Sequence, residues 1–175
     1  KMVNGHGDFL PESKRGIPFP SVAFYKLFGL SKIFPHSQKF GSYHLTYLNN
    51  DEIHSVEVLS GAFMMLRKSV LDQIGLLDED YFMYGEDLDL FYQFWKNGLV
   101  ISLLSVPVYH LGGGCSQKVW NPLEREIKVQ RSFRKFYDKY FSRWQYVAVK
   151  LYFLAHNLIK HPAKVKGDIK AWSKV

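Results

Sequence analysis

Apolar and polar positions along the chain fall into three regimes. From residue 1 to 54 the pattern is irregular. Asn4-Gly5-His6-Gly7-Asp8 and Gly16-Ile17-Pro18-Phe19-Pro20 are turn signals, and one short helix is predicted within 22–34, where Ala23, Phe24, Leu27, Phe28 and Leu30 share a face before Pro35. From Ser55 the pattern tightens. Val56, Val58 and Leu59 lead into Gly61-Ala62-Phe63-Met64-Met65-Leu66, an apolar run that reads as a strand. A short helix over 69–74 follows, with Ser69 as N-cap, Asp72 three residues on and Gly75 as the stop. Leu90, Phe91, Phe94 and Trp95 then recur at helical spacing until Asn97-Gly98. Leu99 to Val106 reads as a buried strand ended by Pro107, with Val108-Tyr109-His110 continuing to an edge and Gly112-Gly113-Gly114 forming a loop. Beyond residue 119 two helical stretches are predicted, 124–140 charged and aromatic, 144–159 mostly apolar. Strand alternating with helix is an α/β signature.

Composition changes this picture little. The 175 residues are 47% hydrophobic and 17% aromatic, enough for one sizeable core and against wholesale disorder. The single Cys115 excludes an intrachain disulfide and a cysteine-rich zinc site, and fits a reducing, cytoplasmic setting. No run is long and apolar enough to be read as a membrane span. The formal charge of +7 is concentrated in the last third. Lys14, Arg15, Lys26, Lys32 and Lys39 alternate with aromatic residues, a pattern better read as a solvated helix with its rings inward than as a nucleic-acid surface.

The candidate chemistry lies in Tyr84-Gly85-Glu86-Asp87-Leu88-Asp89-Leu90, three carboxylates within four positions at the start of a helix. There, free N–H groups and the helix dipole favour the ionised form, while burial and like charges oppose it. A calcium loop over Asp78, Asp80 and Asp89 fails because Met83 stands where the sharp turn needs glycine. A two-metal phosphoesterase fails for want of a second acid-histidine pair. Asp89 on its own reads as a dipole-complementing carboxylate, Cys115 as an incidental thiol, and Arg67 as a phosphate contact or a surface ion pair.

The set Gly61-Ala62-Phe63, Arg67, Gly75, Asp78-Glu79, Tyr81 through Leu90, Gly98, Pro107 and His110 resembles the C-terminal half of bacterial family-two glycosyltransferases, in particular the rhamnosyltransferase-like group. The likeness runs from Gly5 to about Tyr140. It implies a partial GT-A (Rossmann-like) fold lacking the N-terminal nucleotide-binding half, with a C-terminal helical extension. Residues 1–54 would be a connecting segment, 55–118 the acceptor-side half of the catalytic domain, and 119–175 a helical, membrane-surface segment. The implied reaction is inverting transfer of a sugar from a nucleotide-sugar donor to a hydroxyl of a glycan or lipid-linked acceptor. Asp87 would be the catalytic base, Glu86 its catalytic companion, and Gly61, Ala62, Tyr84 and Gly85 substrate-binding positions. The family's divalent cation, Mg or Mn, would take His110 as a ligand; read by itself, His110 equally well closes a strand end. The family's Asp-x-Asp has no counterpart before Gly61, so the nucleotide-binding half is expected ahead of Lys1. Asp87-Leu88-Asp89 is a lookalike in the acceptor-side position. The aromatic and basic C-terminus, with Lys160, Lys164, Lys166, Lys170 and Lys174, fits an anionic membrane surface and a place on the inner face of the plasma membrane. A second expectation is a non-catalytic, basic membrane-surface module on the same fold. No nucleic-acid partner is expected.

Overall fold

The structure is a computed structural model that describes residues 1–111, 119–162 and 165–173, without the side chains of Lys166 and Asp168. The Gly112-Gly113-Gly114 loop, Cys115, Ser116, Lys164 and Lys174 lie outside the described residues. The fold is mixed α/β. Its strands are short: β1 (Met2–Val3), β2 (Lys14–Arg15), β3 (His54–Val56), β4 (Val58–Leu59), β5 (Ile101–Leu103) and β6 (Val108–Tyr109). They pair as three two-stranded ladders, β1 parallel to β6, β2 antiparallel to β4, and β3 antiparallel to β5.

The helices are α1 (Pro20–Leu27), α2 (Leu30–Ile33), α3 (Lys68–Ile74), α4 (Glu86–Lys96), α5 (Pro122–Tyr140), α6 (Arg143–Lys160) and α7 (Val165–Trp172). Gly29, at φ +75°, breaks the predicted 22–34 helix into α1 and α2. Among the described residues two helices start on reciprocal caps. Asn121 Oδ1 accepts from the N–H of Glu124 at 2.9 Å while the Glu124 carboxylate accepts from the N–H of Asn121 at 3.1 Å. Ser142 and Gln145 repeat the arrangement for α6. Such boxes satisfy donors that the first turn leaves without intrahelical partners, each cap contributing about 1 kcal/mol.

The core lies under α4. Leu88, Leu90, Phe91 and Phe94 are buried against Ile17, Val56, Val58, Ile101 and Leu103, and α5 closes it with Phe136 and Tyr137, both fully buried. Tyr137 also donates its hydroxyl to the carbonyl of Pro18, tying α5 to the N-terminal segment.

Three local expectations change. Residues 61–66 form no strand; Phe63 and Met65 are exposed, and the N–H of Gly61 goes to the Asp87 carboxylate instead of a ladder. The predicted buried strand over 99–106 shortens to β5. Ile101 and Leu103 face the core, whereas Val100, Leu104 and Val106 are exposed, the two-residue alternation of a strand covered on one side. Helix α3 begins one residue before Ser69, and Asp72 pairs with Lys68 Nζ at 2.8 Å rather than completing a cap.

Candidate functional site

The start of α4 is built from an unusual backbone. Tyr84 has φ +69° and Gly85 φ +85°, two successive left-handed residues, so the chain turns sharply into the helix without a side-chain cap. Glycine is needed at 85. A Cβ there would sit 3.2 Å from both the Ser132 Cβ and the Tyr81 ring. Tyr84 carries the steric cost of a non-glycine left-handed residue, of order 1–2 kcal/mol, a kind of strain that concentrates at functional sites.

Asp87 is held from two directions. Its Oδ2 accepts from Arg15 Nη2 at 2.5 Å and from the N–H of Gly61 at 3.0 Å, and its Oδ1 accepts from the N–H of Leu88 at 2.7 Å. A carboxylate offers about four acceptor positions. Three are used, which leaves one on Oδ1. The side chain is 13% exposed, partly desolvated yet open to an incoming group. Gly61 is close-fitted, since a Cβ on it would meet the Asp87 Cβ at 3.2 Å. Arg15 arrives on β2, whose partner β4 ends two residues before Gly61, and it also donates to the Leu59 carbonyl at 3.1 Å.

Glu86 is half-buried, with Oε2 enclosed and without a hydrogen-bond partner. Burial raises its pKa above the usual glutamate value, and the adjacent Asp87 charge adds to the shift. Two neighbouring carboxyls thus have different surroundings: one ion-paired with Arg15, the other desolvated and without a cation partner among the described residues.

Asp89, two residues on, is wholly buried. It accepts from Tyr81 Oη at 3.2 Å, Gln93 Nε2 at 2.9 Å and Lys139 Nζ at 2.9 Å. Lys139 bonds Asp78 at 2.9 Å as well, and Lys135 reaches Asp80 at 2.8 Å. Burial lowers the Lys139 pKa, but its hydrogen bonds to Asp89 and Asp78 outweigh that and raise it; Asp78 is lowered chiefly by Lys139. Ser132 donates to the Met83 carbonyl at 3.1 Å, and Lys128 lies over the Phe82 ring at 4.4 Å. One stripe of α5, residues 128, 132, 135 and 139, therefore clamps the loop that carries Tyr84 and Gly85.

The structure brings Asp87, Glu86, Gly61, Tyr84 and Gly85 together. Ala62 is exposed, and its N–H bonds Ser60 Oγ locally. His110 follows β6, its N–H bonding the Val3 carbonyl at 2.8 Å. Among the described residues no group of three or more His, Cys, Asp or Glu is gathered to hold a metal ion. His110 thus offers one nitrogen ligand and no complete cation site. Sequence reasoning missed Arg15, for which no local signal exists 72 residues away. It also missed Lys139, which the polar stripe of α5 opposite an acidic loop could have disclosed.

Two half-buried titratable side chains, His44 and Glu57, lie on the N-terminal side. Burial pushes His44 down to about 4, helped by Lys26 and Arg15, so its imidazole is neutral near pH 7. Glu57 accepts from the N–H of Ile17 at 2.6 Å, and burial raises its pKa. No helix among the described residues is long and apolar enough to cross a membrane.

Comparison with family models, curated proteins and solved structures finds no match to this chain.

Proposed function

We propose that this chain is the acceptor-side part of a nucleotide-sugar glycosyltransferase of GT-A type, with Asp87 as the base. The observation that carries the reading is the Asp87 carboxylate at the start of α4, fixed by Arg15 and Gly61 with one acceptor position left on Oδ1. In the reaction, the acceptor hydroxyl gives its proton to Oδ1 as its oxygen forms the bond to the anomeric carbon. The bond from that carbon to the nucleoside diphosphate breaks with inversion. A positioned base of this kind contributes about 10²–10⁴-fold. Glu86, half-buried beside Asp87, orients the acceptor or supports the loop.

The reading includes a donor-binding part of the same enzyme; a Mg or Mn ion, when bound, would neutralise the donor pyrophosphate and would take His110 as one ligand. The described residues do not complete that ion site, and no step above runs through it. An apolar groove of ≈ 810 Å³ lies beside β5, lined by Phe63, Met65, Val100 and Leu104 among others. The acceptor class is a glycan or a lipid-linked glycan in bacterial cell-surface polysaccharide assembly, with the enzyme peripheral on the inner face of the plasma membrane.

The test is Asp87→Asn in the protein as its source makes it, assayed for nucleoside diphosphate release from a panel of nucleotide sugars. Loss of about 10²-fold or more with folding retained supports the reading; unchanged transfer refutes it. A second reading, a non-catalytic membrane-surface module, is favoured by the charge of the C-terminal segment and predicts no release with any donor.

A further inference from the structure

Helix α6 is apolar around most of its circumference, yet the protein covers only part of it. Its inner side carries Tyr146 and Val149, both buried, and Tyr152, which meets Phe24 of α1 edge-on with ring centres 5.3 Å apart. At 100° per residue Trp144, Val147, Leu151, Leu154 and Leu158 fall on one outer stripe. Trp144 is 80% exposed, Leu151 57% and Leu158 56%. A helix apolar on both sides has a cover on both sides.

Charge indicates what the cover is. Residues 141–175 contain seven Lys or Arg and one acid, Asp168, so this fifth of the chain holds +6 of the formal +7. Helix α6 itself carries Arg143, Lys150 and Lys160 and no acid; Arg143 and Lys160 are exposed at its two ends. A second copy seated on the stripe would set these cations against their own kind. A nucleic acid would match the charge but leave three large apolar side chains in water. An anionic bilayer surface satisfies both, apolar side chains entering the headgroup boundary and lysines meeting lipid phosphates.

We propose that the outer face of α6, from Trp144 to Leu158, lies flat on an anionic lipid bilayer. At 18 residues the helix presents about 27 Å of length parallel to the surface. The inference deepens the membrane part of the reading above and is independent of Asp87.

The experiment uses the whole protein and vesicles of phosphatidylcholine with or without phosphatidylglycerol. Binding is expected to the phosphatidylglycerol vesicles, weaker to phosphatidylcholine alone, and weakened by salt. Leu151→Glu/Leu158→Glu lowers partitioning more than about tenfold. Arg143→Glu/Lys160→Glu, which leaves the apolar packing intact and serves if the first variant misfolds, does the same through charge alone. The blue shift of tryptophan emission on binding disappears in Trp144→Phe. Asp87→Asn binds like the unaltered chain, so loss of transfer and loss of binding are separate results. The proposal is overturned by binding that ignores phosphatidylglycerol or both face variants. It is equally overturned by a dimer that Leu151→Glu/Leu158→Glu dissociates without changing vesicle binding, or by duplex DNA binding that outcompetes the vesicles.

Discussion

Asp87 and Asp89 share a helix turn, a dipole and a local sequence, and the fold treats them in opposite ways. Asp87 is met by the N-terminal segment through Arg15 and remains partly open. Asp89 is sealed at 0% exposure and met by α5 through Lys139. The difference shows that nothing in the first turn itself selects which carboxylate stays open to solvent. The two flanking segments do: each carboxylate accepts three hydrogen bonds, but Asp87 stays 13% exposed while Asp89 is closed off from solvent.

The sharpest way to break the contrast is Lys139→Met. It leaves the Asp89 charge buried with two neutral donors and no cation, an arrangement that costs about 3–5 kcal/mol. Urea unfolding should show that loss, while Arg15→Met on the open side costs clearly less because water reaches Asp87.

Acid acts on the Asp87 side through His44 in a destabilising sense. His44 has a folded pKa of about 4 against 6.5 for the free side chain, so between those values the unfolded chain binds the proton more readily. Stability therefore falls as pH drops from about 6.5 towards about 4, by up to about 3 kcal/mol, and the loss levels off below that. Glu57 and Glu86, with raised pKa values, act in the opposite sense. The difference between the unaltered chain and His44→Asn in pH-dependent melting isolates the histidine. On the Asp89 side Asp78 is held below its usual value by Lys139, so its ion pair persists into stronger acid.

Gly85→Ala probes the turn that presents both carboxylates. The left-handed backbone and the 3.2 Å approach to Ser132 and Tyr81 together cost about 1–3 kcal/mol. Thermal unfolding measures this, with Gly98→Ala, whose Cβ would meet nothing within 4 Å, as the smaller control.

Helix α4 was legible in the sequence because its signals are local: Gly85 before it, apolar residues at helical spacing, Asn97-Gly98 after it. The strands were legible only in part: β5 and β6 fall within the predicted 99–110 stretch, whereas β1 and β2 had no signal. They are two or three residues long and exist through pairings such as Lys14 with Leu59, which no window along the chain contains. Residues 61–66 have strand composition but give their leading N–H to a carboxylate, a tertiary choice that overrides propensity. Asp87 could be singled out from its own neighbourhood; Arg15, 72 residues away, could not, and Lys139 could be found only by setting the polar stripe of α5 against the acidic loop.

The most direct measurement is sugar transfer per folded molecule for Asp87→Asn and Asp89→Asn, side by side in the protein as its source makes it. With Asp87 as base, Asp87→Asn is folded and about 10²-fold or more slower, whereas Asp89→Asn is less stable but transfers at nearly the unaltered rate per folded molecule. Transfer that survives Asp87→Asn, or falls only in Asp89→Asn, would contradict the account.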